Sequence, residues 1–155
     1  MSRAFVKEPD GSEAFEELPE KLVSEHRNLV TAKGLELIEA ELTRWSAEHA
    51  SAQAANDRAA IARAACDLRY WSQRRSTAEV MLAPVDAKTV RFGSIVTLVR
   101  DDGRKQKFQI TGEDEADPAK GSISYVSPLA QALLGKTAGD TVAAGTGEAE
   151  ITGIS

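Results

Sequence analysis

Few side chains in this sequence could do chemistry by themselves. There are two histidines, His26 and His49, and a single cysteine, Cys66. A Ser-His-Asp or Cys-His triad would have to use one of those histidines, yet His26 lies in a polar stretch and His49 within a helical pattern. The roles of nucleophile, base and orienting group are not supplied together, which argues against an autonomous hydrolase. One cysteine and two distant histidines do not make a His/Cys metal site, an internal disulfide or a cysteine-rich zinc site. A reducing, cytoplasmic setting fits that usage. The acidic run Glu113 to Asp117 lacks the glycine and ligand spacing of a calcium loop, and reads as a loop feature.

Two further groups deserve weighing. Asp57 is the lone carboxylate in the window Ser51 to Ile61 and is followed by Arg58. Standing before Arg58-Ala59-Ala60-Ile61, it suits a helix N-cap, worth about 1 kcal/mol. Arg58, Arg63, Arg69, Arg74 and Arg75 follow, against Asp67 and Glu79. Arg58 and Arg69 are three helical turns apart and share a face, with Arg63 off that line. Such a set is either a solvated face or a contact for nucleic acid. Cys66, on an Ala-rich stretch, suits a small packing residue.

These residues must be positioned by a chain of 155 residues, enough for one domain or two small elements sharing a core. Apolar residues make up 42% but aromatic ones only 5%, so the core must be mainly aliphatic. No apolar run is long enough to span a membrane, and the N-terminus has no secretory signal pattern. The net charge of −5 argues against a protein that coats DNA, because phosphate affinity comes from Lys and Arg, while leaving room for a local basic patch.

Residues 1–30 read as a mobile acidic tail, interrupted by Pro9 and Pro19, in which Phe5 and Phe15 are the apolar exceptions. Residues 31–83 change character. Thr31 is an N-cap candidate, with Gly34 where a capping Glu would complete the box. Ile38, Leu42, Trp45, His49 and Ala52 form a heptad seam. Ile61, Ala64, Leu68, Trp71, Arg75, Ala78 and Leu82 form a second, flawed at Arg75. Two antiparallel helices of about 20 residues, roughly 30 Å each, are expected. They are joined by a turn at 55–58, in which Asn56 tolerates a left-handed backbone, and Trp45 and Trp71 are expected to meet near the middle. The Ala-rich tip buries little and suits reaching into something narrow more than building a pocket.

A linker, 84–91, leads into 92–155, where the period becomes 2. Strands are expected at 94–99, 106–110, 122–126, 141–143 and 148–152, with Asp101-Asp102-Gly103 as a hairpin turn. Ser127-Pro128 should open a short helix, Leu129 to Leu134, that Gly135 ends. The fold class is α+β: a helical hairpin plus a small antiparallel sheet covered by one short helix.

The run Gly112-Glu113-Asp114-Glu115-Ala116-Asp117, then Ile123-Ser124, Ser127-Pro128-Leu129-Ala130, Leu133-Leu134-Gly135-Lys136 and Gly139-Asp140-Val142, resembles the C-terminal domain of the bacterial GreA/GreB transcript cleavage factors. Phe92-Gly93-Ser94-Ile95-Val96 matches its opening strand, and Gly34-Leu35 with Glu39, Glu41 and Leu42 is similar to the family's first helix. The resemblance is good over 92–155 and extends to the hairpin in layout. It implies an N-terminal coiled-coil hairpin and an FKBP-like C-terminal domain that docks on the rim of the RNA polymerase secondary channel, with Ser127, Pro128 and Leu129 on the docking face. The hairpin would enter the channel toward the active centre and the RNA 3′ end, with Arg58, Arg63 and Arg69 facing the channel wall or nucleic acid. Two tip acids, in an Asp-x-x-Glu pattern, would help hold the second catalytic Mg2+ of the polymerase, which then cleaves backtracked RNA. The factor would be a monomeric accessory protein with no cofactor of its own and no membrane partner, not a complete enzyme.

The sequence departs from that pattern at the tip. Gly34 to Asp86 is about two heptads shorter than a full Gre hairpin, which makes the rod about 10 Å shorter. Asp57 has no partner acid: Ala60 stands at one possible position and Ala54 at the other, and the neighbouring Arg58 opposes Mg2+. Two functions follow from the resemblance. One is an elongation factor that supports cleavage of backtracked RNA. The other is a secondary-channel regulator without cleavage activity, like the short-hairpin relatives that resemble regulators of nucleoside diphosphate kinase. Peptidyl-prolyl isomerase activity is suggested by fold analogy alone, and the aromatic-poor domain argues against it.

Overall fold

The computed structural model describes residues 19–155. Phe5 and Phe15 lie outside the described residues. The described residues divide into two compact units, one holding 19–24 and 39–76, the other holding 25–38 and 77–155.

The first unit is the antiparallel part of two helices, α1 (Ala32–Ala54) and α2 (Arg58–Thr77). Ala52, Ala64 and Trp71 are buried along the seam, with Leu42, Trp45 and His49 half-buried. The two tryptophans find different partners. Trp71 packs edge-on against Tyr70 at 5.1 Å, while the Arg44 guanidinium lies over Trp45, whose indole N–H donates to Glu41. The base of the second seam also differs from the heptad expectation. Arg75 leans out to Glu39 of α1 at 2.9 Å, and Arg74 takes the buried place. The seam does not continue to Leu82, which is 88% exposed. The helix stops at Thr77 because the N–H groups of Glu79 and Met81 donate to the carbonyls of Asn28 and Val30 instead.

That exchange opens the second unit. Leu29–Val30 (β1) pairs in parallel with Glu79–Val80 (β2), and Arg27 forms an ion pair with Glu79. The hydrogen bond from Arg27 holds the Glu79 carboxyl below its ordinary value. The pair is therefore complete at neutral pH and is lost on acidification through that lowered value. The expected tail thus ends earlier than residue 30, since Val30 is buried. Two residues with few apolar neighbours carry no strand signal until their partner is known.

The remaining strands are β3 (Ile95–Arg100), β4 (Lys105–Thr111), β5 (Ser122–Ser124), β6 (Thr141–Ala144) and β7 (Gly147–Ile154), in the order β5-β4-β3-β7-β6. The fold class is α+β as expected, but the sheet is mixed. β5 runs parallel to β4, because residues 112–121 carry the chain back across the sheet before it pairs. Val96, Leu98, Ile110, Ile123, Leu133 and Ile151 make an aliphatic core under α3 (Pro128–Leu133). Val90, expected in a linker, belongs to this core. Its N–H donates to Lys136 and its carbonyl accepts from Gly135.

The start of α1 is fixed by a residue far along the chain. The Thr31 hydroxyl accepts the N–H of Gly34 at 3.0 Å, the N-cap bond expected. The Glu that a capping box would place at position 34 is supplied by Glu115. Its carboxylate accepts the Thr31 N–H at 3.1 Å and the Thr31 hydroxyl. Gly34 makes room for it, for a Cβ there would lie 1.8 Å from Glu115 Oε2.

Candidate functional site

The hairpin tip is closed by backbone bonds that its sequence predicts. Asn56 has φ +52°, so α1 ends on a left-handed residue. The Asp57 N–H donates back to the Ala52 carbonyl at 3.1 Å. Asp57 then begins α2: its carbonyl accepts from Ile61, and its Oδ1 accepts the Ala60 N–H at 3.1 Å. The side chain is therefore the N-cap, exposed to solvent, with one carboxylate oxygen engaged. Asp57→Ala should cost the hairpin about 1 kcal/mol, while Asp57→Asn should cost a few tenths at most, because Asn caps as well as Asp. Thermal unfolding followed by helical circular dichroism separates the two.

An open groove flanks the tip, lined by Trp45, Ala52, Ala60 and Ala64 with Asp57 and Arg63 on its polar margin. Glu48 and Asp67 also line it, yet among the described residues no three of His, Cys, Asp and Glu gather as a metal cage. Metal binding here would need ligands from elsewhere.

The arginines of α2 do not form one face. Arg58 and Arg63 are exposed near the tip, but Arg69 lies 3.7 Å from Glu20, and its guanidinium approaches Cys66 Sγ at 3.5 Å. Arg74 and Arg75 are withdrawn into the seam and onto Glu39. Of the basic set read from sequence, Arg58, Arg63, Arg69 and Arg75 are exposed, the last two each beside a carboxylate, and Arg74 alone is buried.

Ser127, Pro128 and Leu129 come together at the start of α3. The Ser127 hydroxyl accepts the Ala130 N–H at 3.3 Å, Pro128 occupies the first helical turn, and Leu129 packs against the core. Pro128 is exposed, so this corner presents a rigid apolar surface. Gln131 donates to the Tyr125 carbonyl and fixes the approach to the helix. Sequence reasoning missed Glu115, Tyr70 and the pair Glu20–Lys21. Only Gly34, a glycine at the capping-box position, signalled that a carboxylate would arrive from elsewhere.

Residues 85–154 match the family model described as the C-terminal domain of transcription elongation factor GreA/GreB. The chain is 37% identical over 134 residues to transcription elongation factor GreA of Desulfovibrio desulfuricans, covering 85% of this chain and 79% of that one. With transcription elongation factor GreB of Neisseria meningitidis serogroup B it is 41% identical over 83 residues, about half of each chain. Among solved structures, GreA factor homolog 1 of Thermus thermophilus aligns over 84% of this chain and 99% of that one, at 19% identity and a TM-score of 0.41. A helical hairpin joined in sequence to a small α+β domain, with a chain-long match of this kind, defines a transcription elongation factor. This chain belongs to the GreA/GreB family.

Proposed function

We propose that this factor binds RNA polymerase at the rim of the secondary channel through its C-terminal domain, with Ser127, Pro128 and Leu129 on the contacting face. The hairpin enters the channel toward the active centre and the RNA 3′ end. The observation that carries this reading is the match to GreA across both the hairpin and the domain. The factor acts as an accessory protein, and the cleavage chemistry belongs to the polymerase.

At the active centre Asp57 would offer one carboxylate oxygen to the second catalytic Mg2+ of the polymerase, since Oδ1 is engaged by the Ala60 N–H. A bound Mg2+ would orient and activate the attacking water. One acid in place of two, beside Arg58, makes stimulation of cleavage weak. A second reading, a channel occupant that modulates transcription without cleavage, is favoured by the same missing acid.

A stalled, backtracked elongation complex incubated with and without the protein tests both. Slow cleavage above the protein-free background is expected, and binding without cleavage assigns the second reading. Pro128→Glu should weaken polymerase binding about tenfold by placing an unpaired charge in the contact, while the helix persists because Glu is favourable in a first turn. Unchanged binding by that variant would remove the docking face from α3.

A further inference from the structure

Helix α2 carries a second stripe that its seam does not use. Cys66, Arg69, Tyr70 and Gln73 follow one another at helical spacing beside the seam positions Ala64, Trp71 and Arg74. Residues 20–23 lie against this stripe, with Cys66 and Tyr70 half-buried and Arg69 and Gln73 exposed at its margin. Glu20, Lys21 and Val23 line a narrow cleft against those four residues, while Leu22 points outward and is 92% exposed.

The contacts are chemically specific. The Glu20 carboxylate lies 3.7 Å from Arg69 Nε. The Lys21 ammonium is 3.4 Å from Asp67 Oδ1 and sits 4.4 Å over the Tyr70 ring and 5.6 Å from that of Trp71. An arginine beside an aromatic ring is a pairing that single-strand binders use, the guanidinium taking a phosphate and the ring stacking on a base. Here a carboxylate stands in for the phosphate and an ammonium covers the ring. We infer that Glu20–Ser24 is an intramolecular strap that masks the Arg69–Tyr70 face of α2 against single-stranded RNA. The inference rests on the reading that the α2 arginines meet nucleic acid.

The ion pairs are solvent-exposed and individually weak, so the strap is poised to open and is loosened by salt. If the closed form predominates by about tenfold, RNA affinity is reduced by the same factor.

The double variant Glu20→Gln/Lys21→Gln tests this in the full chain. It removes one negative and one positive charge, so the net charge stays at −5. Cys66, the only cysteine, lines the strap cleft and reports opening through its rate of alkylation. Binding is read from the anisotropy of a fluorescein-labelled oligouridylate. Alkylation and RNA affinity should both rise about tenfold in the double variant, and adding Arg69→Ala should abolish the gain in affinity. An unchanged alkylation rate overturns the strap. Faster alkylation with unchanged affinity overturns the masking. If Arg58→Ala and Arg63→Ala then also leave the affinity of the open variant untouched, the nucleic-acid reading of α2 fails too, and the two failures are told apart.

Discussion

Gly112→Ala should destabilise the C-terminal unit by about 3 kcal/mol, at the upper end of what overpacking costs. A Cβ at this position would lie 2.3 Å from the carbonyl oxygen of Leu29. That oxygen is backbone in β1, whose neighbour Val30 is buried, so relief requires moving the β1–β2 pair. Gly34→Ala is the informative contrast. Its nearest atom is the end of the Glu115 side chain, which can swing away at the expense of its bonds to Thr31. Replacing a helical glycine by alanine returns about 1 kcal/mol, which offsets part of that loss and leaves a net cost of about 1 kcal/mol. A urea titration should rank Gly112→Ala well below Gly34→Ala in midpoint. The reverse order would mean that Glu115, not the close backbone approach, is the stronger constraint.

Ala60→Glu should raise cleavage of backtracked RNA about tenfold, equivalent to about 1.4 kcal/mol of transition-state stabilisation. Position 60 is the third residue of α2, three after Asp57, and recreates the Asp-x-x-Glu spacing. A glutamate there would ordinarily fold back onto the N-cap N–H as a capping box. In this tip the Asp57 N–H already donates to Ala52, so the new carboxylate stays available. A negative charge in the first turn also suits the helix dipole. Ala54→Asp is the weaker choice, because residue 54 ends α1, where a negative charge opposes the dipole. Single-turnover cleavage at saturating factor measures the effect. No gain from Ala60→Glu, with polymerase binding intact, would mean that the hairpin does not reach the metal.

The features legible in the sequence are those whose cause is local. Asp57 and Ser127 cap the helices that follow them, as a cap depends only on the next three residues. Asn56 closes the tip for the same reason. The strands of the C-terminal sheet announce themselves by alternation, from Ile95 to Arg100 above all. What escaped notice depends on partners far along the chain. Leu29–Val30 is a strand only because Glu79–Val80 lies beside it. Arg74 and Arg75 exchange roles because Glu39 draws one of them out of the seam. Parallel pairing of β5 with β4 depends on the path of the intervening loop, which periodicity does not encode. At the candidate site the identities of the tip and α3 residues were plain. The approach of Glu20 to Arg69 was not, since ion-pair choice among many charges leaves no pattern.

The bond between Thr31 and Glu115 joins residues 84 apart in sequence. On a ribosome the whole of α1 and α2 is synthesised before the residue whose carboxylate completes the cap of α1. The tip, closed by contacts within a few residues, is complete early, and the base of the helix waits for the chain to reach the sheet. Synthesis therefore finishes the molecule from the tip toward the base. A chain ending before Glu115 would hold a closed tip on a helix whose first turn still frays.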